Sequence, residues 1–453
     1  MMKKISYFIF IFCLLFISAC QREGKRGYAP PAVIPNTTRE MKSPGFWISR
    51  NSFADKVVLD SSAIALFNSE VECKLGLTED VAKIGPSYSG EELSSFLEKE
   101  LKGLFLNKLF DKNAKRIDNS FYRAIREEIN FSAIPVGINV RYGFIRHYAD
   151  QRILPTEEAL FSQPGDVEFD ELQNSSLDIG TPLAVLHESK DGLWIYAHSP
   201  ASPGWVRKDR VVICTFAELK SYLEKEPFVV VTNTKADIFL DPGLTQYFDY
   251  VRMGVRFPVK KDINSGVIQI SIPFQVDGGK FNKRNAYMRK EDINSGYLLY
   301  TPRNIIQQAF KLLNAPYGWG GMNGEQDCPS FLQEIFSTVG IYLPRNSQAQ
   351  CKVGKQLGSF TEKTNSASKL LILDKLAIGG ATILQLKGHV LLYLGSYKGS
   401  PYVIHETHGY RQKKGWKDIL CAVNRVVVSD LSLGQGSKNG SLLERLLSIC
   451  NVN

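Results

Sequence analysis

The chain has 453 residues, 44% of them hydrophobic and 22% charged, with a formal net charge of +9. This length is a prior for about three domains. The positive balance suits long-range attraction to an anionic envelope, but Lys and Arg are dispersed, with no basic helix or stacking motif, which argues against a nucleic-acid partner.

Lys3 and Lys4 precede an apolar stretch from Ile5 to Ile17 that is too short to span a bilayer, and the small residues Ser18 and Ala19 stand before Cys20. That is the layout of an export signal over residues 1–19. Ile17-Ser18-Ala19-Cys20 resembles a bacterial lipobox, which implies cleavage before Cys20, lipid attachment to its sulfur and stable membrane anchoring. Gln21 rather than aspartate follows, implying the periplasmic face of the outer membrane if the cell has one. Residues 20–44, rich in Pro, Gly, Thr and Arg, read as a lipidated tether. No later run is apolar and long enough to cross a membrane, so everything after Cys20 is expected outside the cytoplasm.

Residues 45–139 read as a helical N-terminal region. Ser89-Gly90-Glu91-Glu92 has the capping-box pattern ahead of Leu93, Phe96, Leu97, Leu101 and Leu104 at helical spacing, and a second amphipathic run covers Phe121 to Ile129. From 140 to 226 the pattern changes to short strands broken by turns. Gly180-Thr181-Pro182-Leu183, Ser189-Lys190-Asp191-Gly192-Leu193-Trp194 and Gly204-Trp205-Val206 resemble a bacterial SH3-like domain. A second strand-rich stretch, 227–300, with Val229-Val230-Val231-Thr232 and Val267-Ile268-Gln269-Ile270, suggests another such barrel without a strict internal repeat. Trp194 and Trp205 either fill the first barrel or line its end. His147, His187 and His198 read as strand or turn residues.

The chemistry concentrates in residues 301–430. Asp327-Cys328-Pro329-Ser330 introduces Phe331, Leu332, Ile335, Phe336 and Val339 at helical spacing, ending at Gly340. Cys328 therefore falls in the first turn of a helix, near its positive dipole end, where a thiol pKa can be lowered. Gly388-His389-Val390 begins a buried strand and Tyr402-Val403-Ile404-His405 reads as the next one. If the two pair antiparallel, His405 comes beside His389, leaving one imidazole nitrogen for the thiol while the neighbour holds the other. His408 is the rival for that third position, but it abuts Gly409 and reads as a turn residue.

Five stretches in this order, Ala315-Pro316-Tyr317-Gly318-Trp319-Gly320-Gly321, Asp327-Cys328, Leu343-Pro344-Arg345-Asn346-Ser347, Gly388-His389-Val390 and Ile404-His405, resemble the NlpC/P60 family of cell-wall cysteine peptidases. The resemblance implies a multidomain α+β chain: a papain-like peptidase domain behind tandem SH3-like barrels, cleaving γ-D-glutamyl-diamino-acid bonds in peptidoglycan stem peptides. It makes Cys328 the nucleophile, His389 the base and His405 the third polar residue. Tyr317, Trp319, Asp327, Asn346 and Ser347 become substrate contacts, joined by Asp191 and Trp194 of the first barrel, which in relatives borders the cleft. The family commonly has a small hydroxyl residue after the cysteine and aspartate at the position of Asn346; this chain has Pro329 and Asn346. Neither a metal nor an organic cofactor is implied. An inactive wall-binding lipoprotein, or an amidase or acyltransferase on the same scaffold, are the competing readings. Residues 431–453 read as a C-terminal tail. Setting aside Cys13, Cys20 and Cys328 leaves Cys73, Cys214, Cys351, Cys421 and Cys450, an odd number whose spacing suggests neither a disulfide framework nor a zinc site.

Overall fold

The computed structural model describes residues 33–453 apart from 264, 265 and 362. The expected export signal, Cys20 and most of the tether lie outside the described residues. Helices α1 (Pro44–Ile48) and α2 (Ser61–Ser69) come first, followed by α3 (Gly90–Phe105) and α4 (Asn119–Ile129). Ser89 caps α3 by accepting from the Glu92 N–H at 3.2 Å, and Asp118 caps α4. Gly90 is required by packing, since a Cβ there would stand 1.8 Å from the Pro135 carbonyl oxygen.

The region 45–139 does not form one helical unit. Met41, Trp47 and Ile48 with Phe67 and Val71 are buried in the same core as Phe331, Leu332, Ile335 and Phe336. Leu93, Leu97, Leu101, Ile125 and Ile129 instead join Tyr142, Phe144, Trp194 and Trp205 of the next module. The amphipathic pattern marks a buried face but not the surface it buries against.

Two seven-stranded antiparallel sheets follow. The first runs from Arg141–Ile145 to Val211–Cys214 and the second from Phe228–Val231 to Ile293–Ser295, with α5 (Phe216–Leu223) between them. Each has its own core. Ile145, Leu177, Leu183 and Val206 fill part of the first, and Val229, Ile238, Phe257, Ile270 and Met288 fill the second.

The last part is α+β. Helices α6 (Pro302–Lys311), α7 (Cys328–Ser337), α8 (Ser347–Gln350) and α9 (Ser366–Leu376) accompany a six-stranded antiparallel sheet. Its strands in chain order are β1 (Lys355–Ser359), β2 (Thr382–Leu386), β3 (His389–Tyr397), β4 (Ser400–Lys414), β5 (Lys417–Asp430) and β6 (Leu446–Asn451). Their spatial order is β1-β6-β2-β3-β4-β5. Residues 431–453 are therefore no tail. β6 pairs on both sides, with β1 and with β2, and Leu446, Ile449 and Cys450 are fully buried. Phe331, Leu332, Ile335 and Phe336 of α7 share one core with Val390, Leu392, Ile404 and Val426 of the sheet. Burying four such side chains contributes several kcal/mol, at about 1.5–3 each, and fixes the N-terminus of α7 near the start of β3.

Candidate functional site

Cys328 is the first residue of α7 and is 6% exposed. Asp327 caps the helix, accepting from the Ser330 N–H at 3.0 Å and the Ser330 hydroxyl at 2.6 Å. Pro329 follows at the helix start, where a missing N–H costs nothing. The Asp327 carboxylate also accepts from the Gly320 N–H at 3.2 Å and from both terminal nitrogens of Arg345, at 2.7 and 3.2 Å. Burial would raise this carboxyl, but Arg345 and Ser330 outweigh it and hold the pKa below the ordinary value. Asp327 is thus committed to capping α7 and pairing with Arg345, and those contacts account for it better than a substrate role.

The surroundings of the thiol oppose the lowering that its place at the helix start offers. Burial, then the neighbouring Asp327 carboxylate, push Cys328 up to about 12, against the lowering effects of the Val390 N–H and Arg345. The partial charge of the helix N-terminus acts against this rise.

The histidines behave as the strand pattern predicts. Leu392 pairs with Ile404, which puts positions 389 and 405 on one face of adjacent strands, offset diagonally. His389 Nε2 lies 2.9 Å from His405 Nδ1, and His405 Nε2 lies 3.0 Å from the Ser429 hydroxyl. Burial, with Arg445 adding to it, lowers His389 to about 3, and burial followed by His389 lowers His405 well below its ordinary value. Both rings are neutral at physiological pH. Among the described residues no hydrogen bond joins the Cys328 sulfur to His389; the N–H of Val390, the next residue, is near enough to favour the thiolate. Thr407, Tyr410, Arg411 and Arg445 line, with the two imidazoles, a cavity of about 90 Å³. His408 does not join this chain of contacts. It meets Glu168 at 2.5 Å and stacks edge-on against Phe169 of the first module.

Tyr317 is half-buried, and its phenol is raised above the ordinary value by burial and then by Cys328 and Asp327, which places it in the surroundings of the thiol. Trp319 is tied down rather than presented: its indole N–H donates to the Asp170 carbonyl at 2.9 Å and its ring meets Phe169 edge-on. Asn346 is exposed and caps α8 by accepting from the Gln348 N–H at 2.8 Å, and Ser347 is the first residue of that helix. The glycine-rich turn is shaped by the first module. Gly320 and Gly321 have φ of +61° and +86°, and a Cβ on either would collide with Gln173 or Ser176, at 2.7 Å from the Gln173 carbonyl oxygen and 2.1 Å from the Ser176 hydroxyl. Tyr148 donates to the Gly321 carbonyl at 2.7 Å, and Arg345 donates to the Ser175 hydroxyl at 3.2 Å.

Residues 148–176 of the first module therefore border the site, whereas Asp191 and Trp194 do not. Asp191 closes its own turn, accepting from Ser189 at 2.6 Å and from the Leu193 N–H at 2.8 Å, and its N–H donates to Glu128 of α4. Trp194 is 3% exposed in the core shared with α3 and α4. Sequence reasoning gave no role to Arg345, Ser429 or Glu406. Glu406 is fully buried with no hydrogen-bond partner for either oxygen among the described residues, and burial, then Asp327 and the other nearby carboxylates, push it up to about 10, which favours the neutral acid. Its place directly after His405, at the end of the buried run Tyr402-Val403-Ile404, was the signal available.

Comparison with known proteins places two modules. Residues 314–423 match the NlpC/P60 family and residues 159–207 match an SH3 domain of the SH3b1 type. A gamma-D-glutamyl-L-lysine dipeptidyl-peptidase of Bacillus cereus is 24% identical over 189 residues, 39% of this chain and 53% of that protein. The bifunctional muramidase/DL-endopeptidase CwlT of Bacillus subtilis is 30% identical over 129 residues, 27% of this chain and 36% of that one. The chain thus spans about half the length, or less, of these curated relatives. The solved structure of an NlpC/P60 endopeptidase from Photobacterium damselae subsp. piscicida shares the fold, with a TM-score of 0.72 at 20% identity, over 88% of this chain and 94% of that one. Behind an SH3b module, this chain carries a domain of the NlpC/P60 family, a family of cysteine peptidases.

Proposed function

We propose that the chain hydrolyses γ-D-glutamyl-diamino-acid bonds in peptidoglycan stem peptides through Cys328, His389 and His405. The observation that carries this reading is the His389–His405 pair at the start of β3, held through Nε2 of His389 at 2.9 Å, beside the N-terminus of α7, which shares one core with that strand. That leaves Nδ1 of His389 as the nitrogen that takes the thiol proton. With the thiol high and the imidazole low, the resting site holds a neutral pair, so proton transfer accompanies attack rather than preceding it. As the sulfur bonds to the scissile carbonyl carbon, its proton moves to His389. The oxyanion is met by the Cys328 N–H and the Tyr317 hydroxyl. His389 then protonates the leaving amine, and water, deprotonated by the same imidazole, releases the acyl group from sulfur. The relatives' names, a gamma-D-glutamyl-L-lysine dipeptidyl-peptidase and a DL-endopeptidase, support this bond as the target.

Mass spectrometry of muropeptides digested by the wild-type chain and by Cys328→Ala tests the proposal. Cleavage between the γ-carbonyl of D-glutamate and the amine of the diamino acid, absent from the variant, is expected. No product from the wild type favours a wall-binding lipoprotein, and a different broken bond favours an amidase or acyltransferase.

The second seven-stranded sheet is read here as a second SH3-like module, and Cys20 as the lipid anchor of an exported protein. Unchanged partitioning of Cys20→Ala into washed membranes would refute the anchor.

A further inference from the structure

We propose that Cys351 and Cys450 form a disulfide that fastens the C-terminal strand to the segment beneath the nucleophile helix. Cys351 ends α8 and Cys450 lies in β6, 99 positions later; both are buried, at 4% and 0% exposure, and their sulfurs are 2.8 Å apart. Both stand as free thiols in this structure. Two thiols held at hydrogen-bond distance within a dry core, with only the Ile383 and Gln350 carbonyls for other partners, are already brought together by the fold.

Their surroundings give the link a purpose. Cys450 pairs with Gln356 of β1 and Ile383 of β2, so it sits on an interior strand, one in from the edge of the sheet. Gln350, next to Cys351, donates to the carbonyls of Pro329 and Pro344 at 2.9 Å each. Pro329 is in the first turn of α7, beside Cys328. A bond at this point closes a long loop, the geometry in which a crosslink most restricts the unfolded chain, and it ties the last strand to the floor of the site.

In the step each thiol gives up its proton and one S–S bond forms. The two electrons pass to a disulfide oxidant, such as oxidised glutathione, whose own S–S bond breaks to give two thiols. Burial of the folded pair slows exchange, so the bond forms as β6 docks during folding and resists reduction afterwards.

The test uses the full chain carrying Cys328→Ala, so that the nucleophile cannot exchange and the result stands whether or not the proposed hydrolysis holds. The protein is refolded with oxidised and reduced glutathione, or with dithiothreitol alone. It is then quenched in acid, alkylated and mapped by mass spectrometry without reduction. Peptides containing Cys351 and Cys450 should be joined in the first case and separate in the second. The joined form should melt about 5 °C or more above the reduced one, a gap that disappears when Cys351→Ala or Cys450→Ala is added. If oxidative refolding gives no folded protein, the chain isolated directly from cells into acid and alkylating agent answers the same question. Full alkylation of both cysteines, pairing of Cys450 with another cysteine, or a joined form that melts no higher would overturn the proposal.

Discussion

Arg345→Met should cost the fold about 3 kcal/mol, and the cost should shrink in acid. Asp327 and Arg345 form a buried pair, with side chains 9% and 11% exposed and a shortest contact of 2.7 Å. Removing one partner of such a pair destabilises by about 3–5 kcal/mol, chiefly because the other charge stays buried without compensation. Asp327 keeps the Ser330 N–H, the Ser330 hydroxyl and the Gly320 N–H, which points to the lower end of that range. The sign of the pH dependence follows from the direction of the shift. In the wild type the carboxyl is held below its ordinary value, so its contribution is present above the unfolded pKa and is lost as pH falls through the folded one. In Arg345→Met burial dominates and the folded pKa moves above the unfolded value. The penalty is then full at neutral pH and is relieved as the carboxyl takes up a proton. Urea unfolding followed by tryptophan fluorescence at about pH 7 and about pH 4 measures both terms. Asp327→Asn added to Arg345→Met removes the stranded charge and should recover about 2 kcal/mol. A gap under about 1 kcal/mol at neutral pH, or one that does not narrow in acid, would refute the reasoning.

The thiol makes its own prediction. With Cys328 pushed up to about 12, its alkylation by iodoacetamide in the free protein should rise about tenfold per pH unit from neutral to about pH 9; a plateau below about pH 7 would reveal a preformed thiolate-imidazolium pair. For the histidines, His389→Ala should abolish turnover, whereas His405→Gln should retain a measurable fraction because an amide can still hold the ring of His389. Loss of activity in His408→Ala with His405→Ala spared would reverse that order.

The parts of the site that were legible in the sequence are those written in a period. Cys328 precedes a helical spacing of apolar residues, and His389 and His405 sit in runs whose alternation fixes a face, so their meeting follows from one antiparallel register. What was not legible depends on distant partners. Leu446 to Asn451 is a short run after the turn-rich stretch of Gly434, Gly436 and Gly440, and only pairing with β1 and β2 makes it an interior strand. Trp194 and Asp191 looked available because turn chemistry says nothing about which end of a module meets its neighbour. The burial that raises the thiol was hidden for the same reason, since a helix N-terminus is visible in sequence and the burial that opposes it is not.

Helix α7 is held by polar and charged groups from three modules, which explains why the SH3b module and the second sheet are packed parts of the site rather than separate beads. At its start, Asp327 binds Arg345, which also reaches Ser175 of the first sheet. Two turns further on, Glu334 lies 3.6 Å from Arg252 of the second sheet, whose guanidinium binds Asp178 of the first at 2.6 Å and the Ser176 carbonyl at 3.1 Å. Arg252, Asp178 and Glu334 are all buried, and burial pushes Glu334 up to about 8, so the network carries Arg252 and Asp178 as its firm ion pair. Such networks add little net stability, because desolvation offsets the attraction. Their cost when misaligned is high, and that asymmetry selects one arrangement of the modules over others that would bury the same apolar area. Ser176 links the two ends: its carbonyl takes Arg252 while its side chain packs where a Cβ on Gly321 would stand. A shift of the first sheet would therefore disturb the glycine turn and the middle of α7 together, and with them the position of Cys328.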